Sequence, residues 1–367
     1  MNSESLGSVL IIGGCGCLGH HITQQLLHSG DASSITVFDI NIQNNRLENV
    51  TYIQGDLSSS SDVLAAVRQA NPLVVINTAS PKLMGINSRP LFAKVNITGT
   101  EVLLASIKEV GVTKALIYTS SSSVIHDNTT DLTNATEDAP LCFEPQQKEY
   151  YTHTKAVAEE MVLKANGKDG MLTASIRAAL LFGEGDTTST PQLIENARSG
   201  KGKFRVGDGK NLFDWTYVGN TAHAHILAAK ALLREAKATT PIPKNKRVNG
   251  EAFVITNDEP WPFWDYTRAI GAEAGFPVDK KDVWAIPARV YYVMAMVIEW
   301  VAWASSFGKR EPMVNRRMLK YLTLNRTFDI SKAKERLGYR PLVGMEEGIK
   351  RTVQSVLARS GDAQKTK

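Results

Sequence analysis

The chain has 367 residues, of which 43% are hydrophobic and 22% charged, a balance that excludes a disordered or fibrous protein and leaves room for one large or two modest globular domains. Forty-two Lys and Arg against thirty-seven Asp and Glu give a net charge of +5. The signs are interspersed and no nucleic-acid-binding signature is present, so nucleic acid is not an expected partner, while an anionic substrate or a membrane surface is compatible with the charge. Cys15, Cys17 and Cys142 are too few for a disulfide framework, which fits a reducing compartment.

The opening residues lack a basic stretch followed by a secretory apolar run, and no signal peptide is expected. An apolar run at 9–12 stops at Gly13 and is followed by an amphipathic stretch at 18–27, which reads as strand, turn and helix. Further strands are expected at 35–38, 50–53, 73–76 and 115–118, with helices near 61–70 and 96–110. Short apolar strands alternating with helices of this length predict an α/β protein with a parallel sheet covered on both faces. Beyond about residue 185 the rhythm loosens, and a smaller lobe is expected there, with strands at 174–176 and 252–255 able to return to the main sheet. The organisation read from this is a dinucleotide-binding region over 1–185, a C-terminal substrate-binding lobe over 186–355, and a polar tail over 356–367.

Residues 290–304 are almost continuously apolar, with Glu299 the lone charge. Fifteen residues fall short of the roughly 20 that span a bilayer. Two readings stay open: a buried helix, or a helix lying in one leaflet with Trp300 and Trp303 at the interface and Arg310, Arg316, Arg317 and Lys320 following.

Gly13, Gly16 and Gly19 sit between the first strand and the first helix, where glycines allow a tight turn, backbone approach to a pyrophosphate and close helix packing. This predicts a doubly wound, Rossmann-like nucleotide fold. Asp39, at the end of the second strand, is placed to accept hydrogen bonds from the adenosine ribose, and its charge would repel a 2′-phosphate, so NAD is favoured over NADP. Asp56 and Leu57 follow the third strand and are candidates for the adenine pocket, with a helix cap the other reading of Asp56. Ala79, after the fourth strand, should pass near the middle of the cofactor. The scattered histidines and the Cys-x-Cys pair make no metal-ligand pattern, and no metal is expected.

Tyr151 and Lys155 are four apart and share one face of a predicted helix. An ammonium and a cationic nicotinamide beside a phenol would both favour tyrosinate, the base that alcohol oxidation requires. Ser120 to Ser123 close the strand at 115–118, and a hydroxyl there can hold the substrate oxygen. Trp215, Tyr217, Trp261, Phe263 and Trp264 are read either as walls of a flat apolar pocket or as ordinary core, and Asp214 as a structural hydrogen-bonding residue.

The segments VLIIGGCGCLG, YTSSSSV, YYTHTKAVAEEMVLKAN, GDGKNLFDWTYVGNTAHAH and GEAFVITNDEPWPFW resemble the extended short-chain dehydrogenases/reductases, and within them the 3β-hydroxysteroid dehydrogenase branch with its fungal decarboxylating sterol-4α-carboxylate 3-dehydrogenases. The resemblance covers nearly the whole chain. It implies Tyr151 as catalytic base, Lys155 as the residue that binds the nicotinamide ribose and tunes the tyrosine, Ser121 as the serine that orients the hydroxyl, with Ser122 the alternative register, and Asn96 as a support beside the site. It further implies NAD-dependent oxidation of a 3β-hydroxyl on a 4α-carboxysterol with loss of carbon dioxide, at the cytoplasmic face of the endoplasmic reticulum, with sterol C4-demethylation partners and a homodimer as expectations. A cytoplasmic location is the other reading. The chain departs from the family at Glu184, where proline is usual, at Ala178 and Leu180, and at Cys17. Alternatives are a 3β-hydroxy dehydrogenase for a fungal triterpenoid or meroterpenoid, a nucleotide-sugar epimerase sharing the same two motifs, and a non-catalytic NAD-binding scaffold. A Lys or Arg is expected near the substrate carboxylate.

Overall fold

Short runs rich in Val, Ile and Phe pair side by side in the computed structural model, which describes residues 5–81, 88–306, 312 and 314–365. They form β1 (Ser8–Ile12), β2 (Ser34–Asp39), β3 (Thr51–Gln54), β4 (Val74–Asn77), β5 (Ala115–Ser121), β6 (Leu172–Ala178) and β7 (Glu251–Ile255). Every neighbouring pair is parallel, in the order β7-β6-β5-β4-β1-β2-β3. The order reverses between β1 and β4, which opens a crevice beyond their C-terminal ends.

The strands read as unbroken apolar runs because both faces are covered. Val9 and Ile11 point to one layer, where α1 (Cys17–Ser29) packs beside a long helix of residues 218–236, and Leu10 and Ile12 point to the other. That second layer holds α2 (Ser60–Ala70), α3 (Gly99–Val110) and α4 (Tyr150–Lys164), followed in the chain by α5 (Val218–Ala236), the long helix just described. The helix expected at 96–110 begins differently: Ala93–Thr98 form a π-helical turn, and the α-helical part starts at Gly99, where a Cβ would stand 2.8 Å from Leu57 Cγ.

The lobe is built from pieces too short to announce themselves. A four-stranded sheet runs Trp261–Pro262, Leu212–Phe213, Arg326–Phe328, Leu132–Ala135, so 132–135 serves the lobe although it lies early in the chain. The lobe core is aromatic, with Trp215 stacked on Tyr266 at 3.6 Å and Phe182 edge-on to both Tyr217 and Tyr266. Trp215 and Tyr217 are therefore core rather than pocket wall, whereas Trp261 and Phe263 are half-buried at its margin. The stretch expected to be a polar tail from 356 is the continuation of a helix, Met345–Lys365, that buries Val353 and Val356 against this core. Asp214 accepts from the Phe328 backbone N–H at 2.8 Å, and burial pushes its carboxyl up to about 6.

The apolar stretch becomes α6 (Ala288–Ser306), which buries only Tyr291 and Ala295. Val293, Val297, Trp300, Val301 and Trp303 are exposed, Trp300 at 69%. The buried-helix reading is thus overturned. Glu299 pairs with Arg316 at 2.6 Å, while Arg310 lies outside the described residues. Among the described residues no helix is long and apolar enough to cross a membrane.

Candidate functional site

The loop after β1 is tied down on several sides. Gly13 has a φ of +78°, and a Cβ there would stand 2.8 Å from the backbone of Ala79, so the β1 and β4 loops meet only because the side chain is missing. At Gly19 a Cβ would lie 2.4 Å from the Gly13 carbonyl oxygen, which brings the first turn of α1 hard against the loop. Gly16 is the N-cap of α1, has no side-chain cap, and no acidic residue occupies the first turn. These first-turn N–H groups make the cradle that an anionic pyrophosphate requires.

Asp39 ends β2 beside this loop. One carboxylate oxygen accepts from the Cys15 N–H at 3.0 Å and the other from the Asn41 N–H at 3.1 Å, so it orders the glycine turn as well as presenting charge at the crevice. Asp56 accepts from the Ser58 N–H and hydroxyl and pairs with Lys94 at 2.9 Å, and these contacts, Lys94 first, hold its carboxyl down at about 2. The cap of α2 is Ser59 and not Asp56. Leu57 is buried beneath α3, and the Ala79 N–H donates to Asn77 at 3.1 Å.

Ser121 is the last residue of β5. Its hydroxyl lies 2.7 Å from that of Ser123, which in turn lies 3.2 Å from Thr152 on α4. Ser120 and Ser122 are buried, whereas Ser121 remains half-buried. Tyr151, in the first turn of α4, packs edge-on against Phe92 with ring centres 5.5 Å apart. Its surroundings push the phenol up to about 12 through burial, opposed by a hydrogen bond with Ser80. Lys155, one turn on, is buried, donates to the Thr119 carbonyl at 2.6 Å and lies 4.7 Å above the Tyr118 ring. Burial lowers its ammonium to about 7, against the opposing charge of Glu159. Burial is the largest influence at both groups, raising the phenol and lowering the ammonium.

Two supports lay beyond sequence reasoning. Thr119 accepts from Lys155 through its carbonyl and lies 2.7 Å from His225 Nε2 through its hydroxyl. His225 Nδ1 faces the Thr221 carbonyl at 2.8 Å, so Nδ1 carries the proton and Nε2 accepts from Thr119; burial lowers the imidazole to about 4. Behind Lys155, Glu159 accepts from Arg177 at 2.6 Å and from the Ser175 hydroxyl at 2.9 Å, pinning α4 to β6. Asn96 donates to Thr154 at 2.9 Å from the π-helical turn. No local signal marks the His225 contact, because its partner stands more than a hundred residues away.

The 3-beta hydroxysteroid dehydrogenase/isomerase family model matches residues 10–288. A decarboxylating sterol-4-alpha-carboxylate 3-dehydrogenase of Candida albicans is 38% identical over 359 residues, covering 96% of this chain and 98% of its own. The mouse protein of that description is 38% identical over 347 residues, 94% of this chain and 90% of its own. The chain belongs to this family. It is an extended short-chain dehydrogenase/reductase and hence an oxidoreductase. Solved structures similar in fold include a Streptomyces venezuelae dTDP-glucose 4,6-dehydratase (TM-score 0.71, 19% identity, 96% of this chain and 98% of that one) and a Thermotoga maritima UDP-glucose 4-epimerase (0.69, 19%, 96% and 99%).

Within that family frame Glu184 acquires a defined place. Its carboxylate accepts from the Tyr217 hydroxyl at 2.6 Å, and its carbonyl accepts from His21 at 2.9 Å and Cys17 at 3.3 Å. Glu184 therefore links the lobe to the first turns of α1, and burial pushes the Cys17 thiol up to about 12, away from thiolate reactivity.

Proposed function

We propose that this protein oxidises the 3β-hydroxyl of a 4α-carboxysterol to the 3-ketone with NAD, and that the C4 carboxylate then leaves as carbon dioxide. The observation that carries this reading is the full-length likeness to decarboxylating sterol-4-alpha-carboxylate 3-dehydrogenases, and the grouping of Ser121, Tyr151 and Lys155 around the β5 end supports it. NAD fits the uncapped first turn of α1 and the Asp39 carboxylate, whose charge disfavours a 2′-phosphate. When bound, it supplies the acceptor for the C3 hydride.

Ser121, at the end of β5, holds the substrate oxygen, and Tyr151 takes its proton. Lys155 binds the ribose and, where protonated, favours tyrosinate. Its protonated fraction at neutral pH is set by the competition between burial and Glu159. Oxidation leaves a β-keto acid. The bond from C4 to the carboxyl carbon then breaks, its electron pair forms the C3–C4 double bond of an enolate as carbon dioxide departs, and C4 takes a proton from water to leave the 3-ketone.

The test is mass spectrometry of products from purified protein with NAD and a 3β-hydroxy-4α-carboxysterol. A 3-ketone lacking the carboxyl, with one NADH per turnover, is the expected result. Turnover confined to triterpenoid 3β-alcohols would replace the substrate and keep the machinery. The exposed face of α6, with Trp300 and Trp303, supports peripheral contact with a bilayer that supplies such a substrate, and the endoplasmic reticulum is proposed on the likeness to the sterol dehydrogenases alone. The full chain should float with phosphatidylcholine vesicles, and Trp300→Ser with Trp303→Ser should abolish this while leaving the unfolding temperature unchanged.

A further inference from the structure

A substrate with a carboxylate on the carbon next to the reacting alcohol needs a cation at the border of the Ser121 and Tyr151 pair. Among the described residues, several cations on the neighbouring segments are already engaged. Arg89 pairs with Glu144 at 2.8 Å, Lys94 with Asp56 at 2.9 Å and Arg177 with Glu159 at 2.6 Å, while Lys155 serves the Thr119 carbonyl.

Arg326 is different. It opens the short lobe strand Arg326–Phe328, between Leu132 and Phe213, and its guanidinium lies 5.4 Å from the Phe213 ring centre and 5.2 Å from that of Tyr321. Its Nη2 donates to His126 Nδ1 at 2.9 Å and to the Asn128 side-chain oxygen. His126 Nε2 faces the Thr130 carbonyl at 2.7 Å and so carries the ring proton, which leaves Nδ1 as an acceptor and the imidazole neutral. Among the described residues, no carboxylate lies within ion-pairing distance of Arg326; Glu149 acts on it at longer range and has a partner of its own. A half-buried guanidinium held in place by His126, Asn128 and the Tyr321 hydroxyl, and by aromatic faces, is preorganised to meet an anion.

Its supports lead directly to the reacting residues. His126 follows the serine run and donates its N–H to the Ser123 carbonyl at 3.0 Å. Gln147 donates to the His126 carbonyl at 2.6 Å and accepts from Asn128 at 3.0 Å and from the Glu149 N–H at 2.8 Å, at the N-cap of the helix bearing Tyr151. Arg326 is thus braced against both segments that present Ser121 and Tyr151.

We propose that Arg326 is the residue that recognises the C4 carboxylate of the substrate, a specificity-determining contact that rests on the function proposed above. A guanidinium meets a carboxylate with two parallel N–H donors, which an ammonium cannot reproduce.

The experiment compares kcat/KM for a 3β-hydroxy-4α-carboxysterol with that for the same sterol lacking the carboxyl, in wild type, Arg326→Gln and Arg326→Lys. In Arg326→Gln the preference for the acid should fall by about tenfold to a hundredfold, the usual range for a hydrogen bond to a charged group, mainly through KM. Arg326→Lys should recover part of it. NADH binding followed by fluorescence checks that each variant is folded. A preference unchanged in Arg326→Gln overturns the assignment, as does a loss that is equal for both sterols. Failure of wild type to act on the acid would instead count against the function itself.

Discussion

Glu159→Gln tests how the helix bearing Tyr151 and Lys155 is held. Glu159 is 0% exposed and Arg177 4%, and their 2.6 Å contact is supplemented by the Ser175 hydroxyl. Removing one charge leaves the other buried and uncompensated, which costs about 3–5 kcal/mol, a large share of the roughly 5–15 kcal/mol that keeps a domain folded. Urea unfolding should show a loss of this size for Glu159→Gln and for Arg177→Met. The double variant should lose clearly less than the sum, because neither charge is then left alone. The same change has a functional sign. Glu159 opposes the burial that lowers Lys155 to about 7, so its removal lowers Lys155 further and shrinks the ammonium fraction at neutral pH. Single losses below about 1 kcal/mol, or an additive double variant, would refute a buried pair anchoring α4 to β6.

Tyr151→Phe should lower kcat by about a hundredfold to ten-thousandfold, the usual contribution of a general base, with NADH affinity by fluorescence nearly intact because the ring still packs on Phe92; surviving turnover would move the base elsewhere. Asp39→Asn keeps the acceptor for the Cys15 N–H but removes the charge, so the ratio of NAD to NADP activity should fall. Gly19→Ala places a Cβ 2.4 Å from a backbone oxygen and should weaken NAD binding more than it lowers the unfolding temperature. His225 titrates near 4 when folded and near 6.5 when unfolded, so the unfolded chain binds more protons between those values. Stability should be complete above pH 6.5 and decline toward pH 4, by at most about 3 kcal/mol from this residue. His225→Gln should flatten that slope in urea titrations.

The nucleotide half was legible because its signals are local. Apolar strands, a glycine turn and an acidic strand end repeat within tens of residues, and β1 to β5 fall where periodicity places them. The lobe was not, because Leu212–Phe213 and Arg326–Phe328 are too short for any period and pair across more than a hundred residues. Tyr151 and Lys155 stood out through their helical spacing, yet their environment did not, since burial is a property of packing. Trp215 and Tyr217 misled for the same reason: an aromatic run reads alike whether it lines a cavity or fills one. Arg326 carries no motif, and only the fold sets it beside His126 and Asn128.

The helix Met345–Lys365 carries a consequence for how the chain acquires its shape. Met345, Ile349, Val353 and Val356 share one cluster with Phe182, Trp215 and Tyr266, so the lobe's interior includes segments made far apart in time. The first five strands can assemble while synthesis continues, but the aromatic cluster keeps an open side until residues beyond 345 leave the ribosome. During that interval the nascent lobe presents greasy rings to its surroundings, and a chaperone that shields them would act there rather than on the nucleotide-binding half.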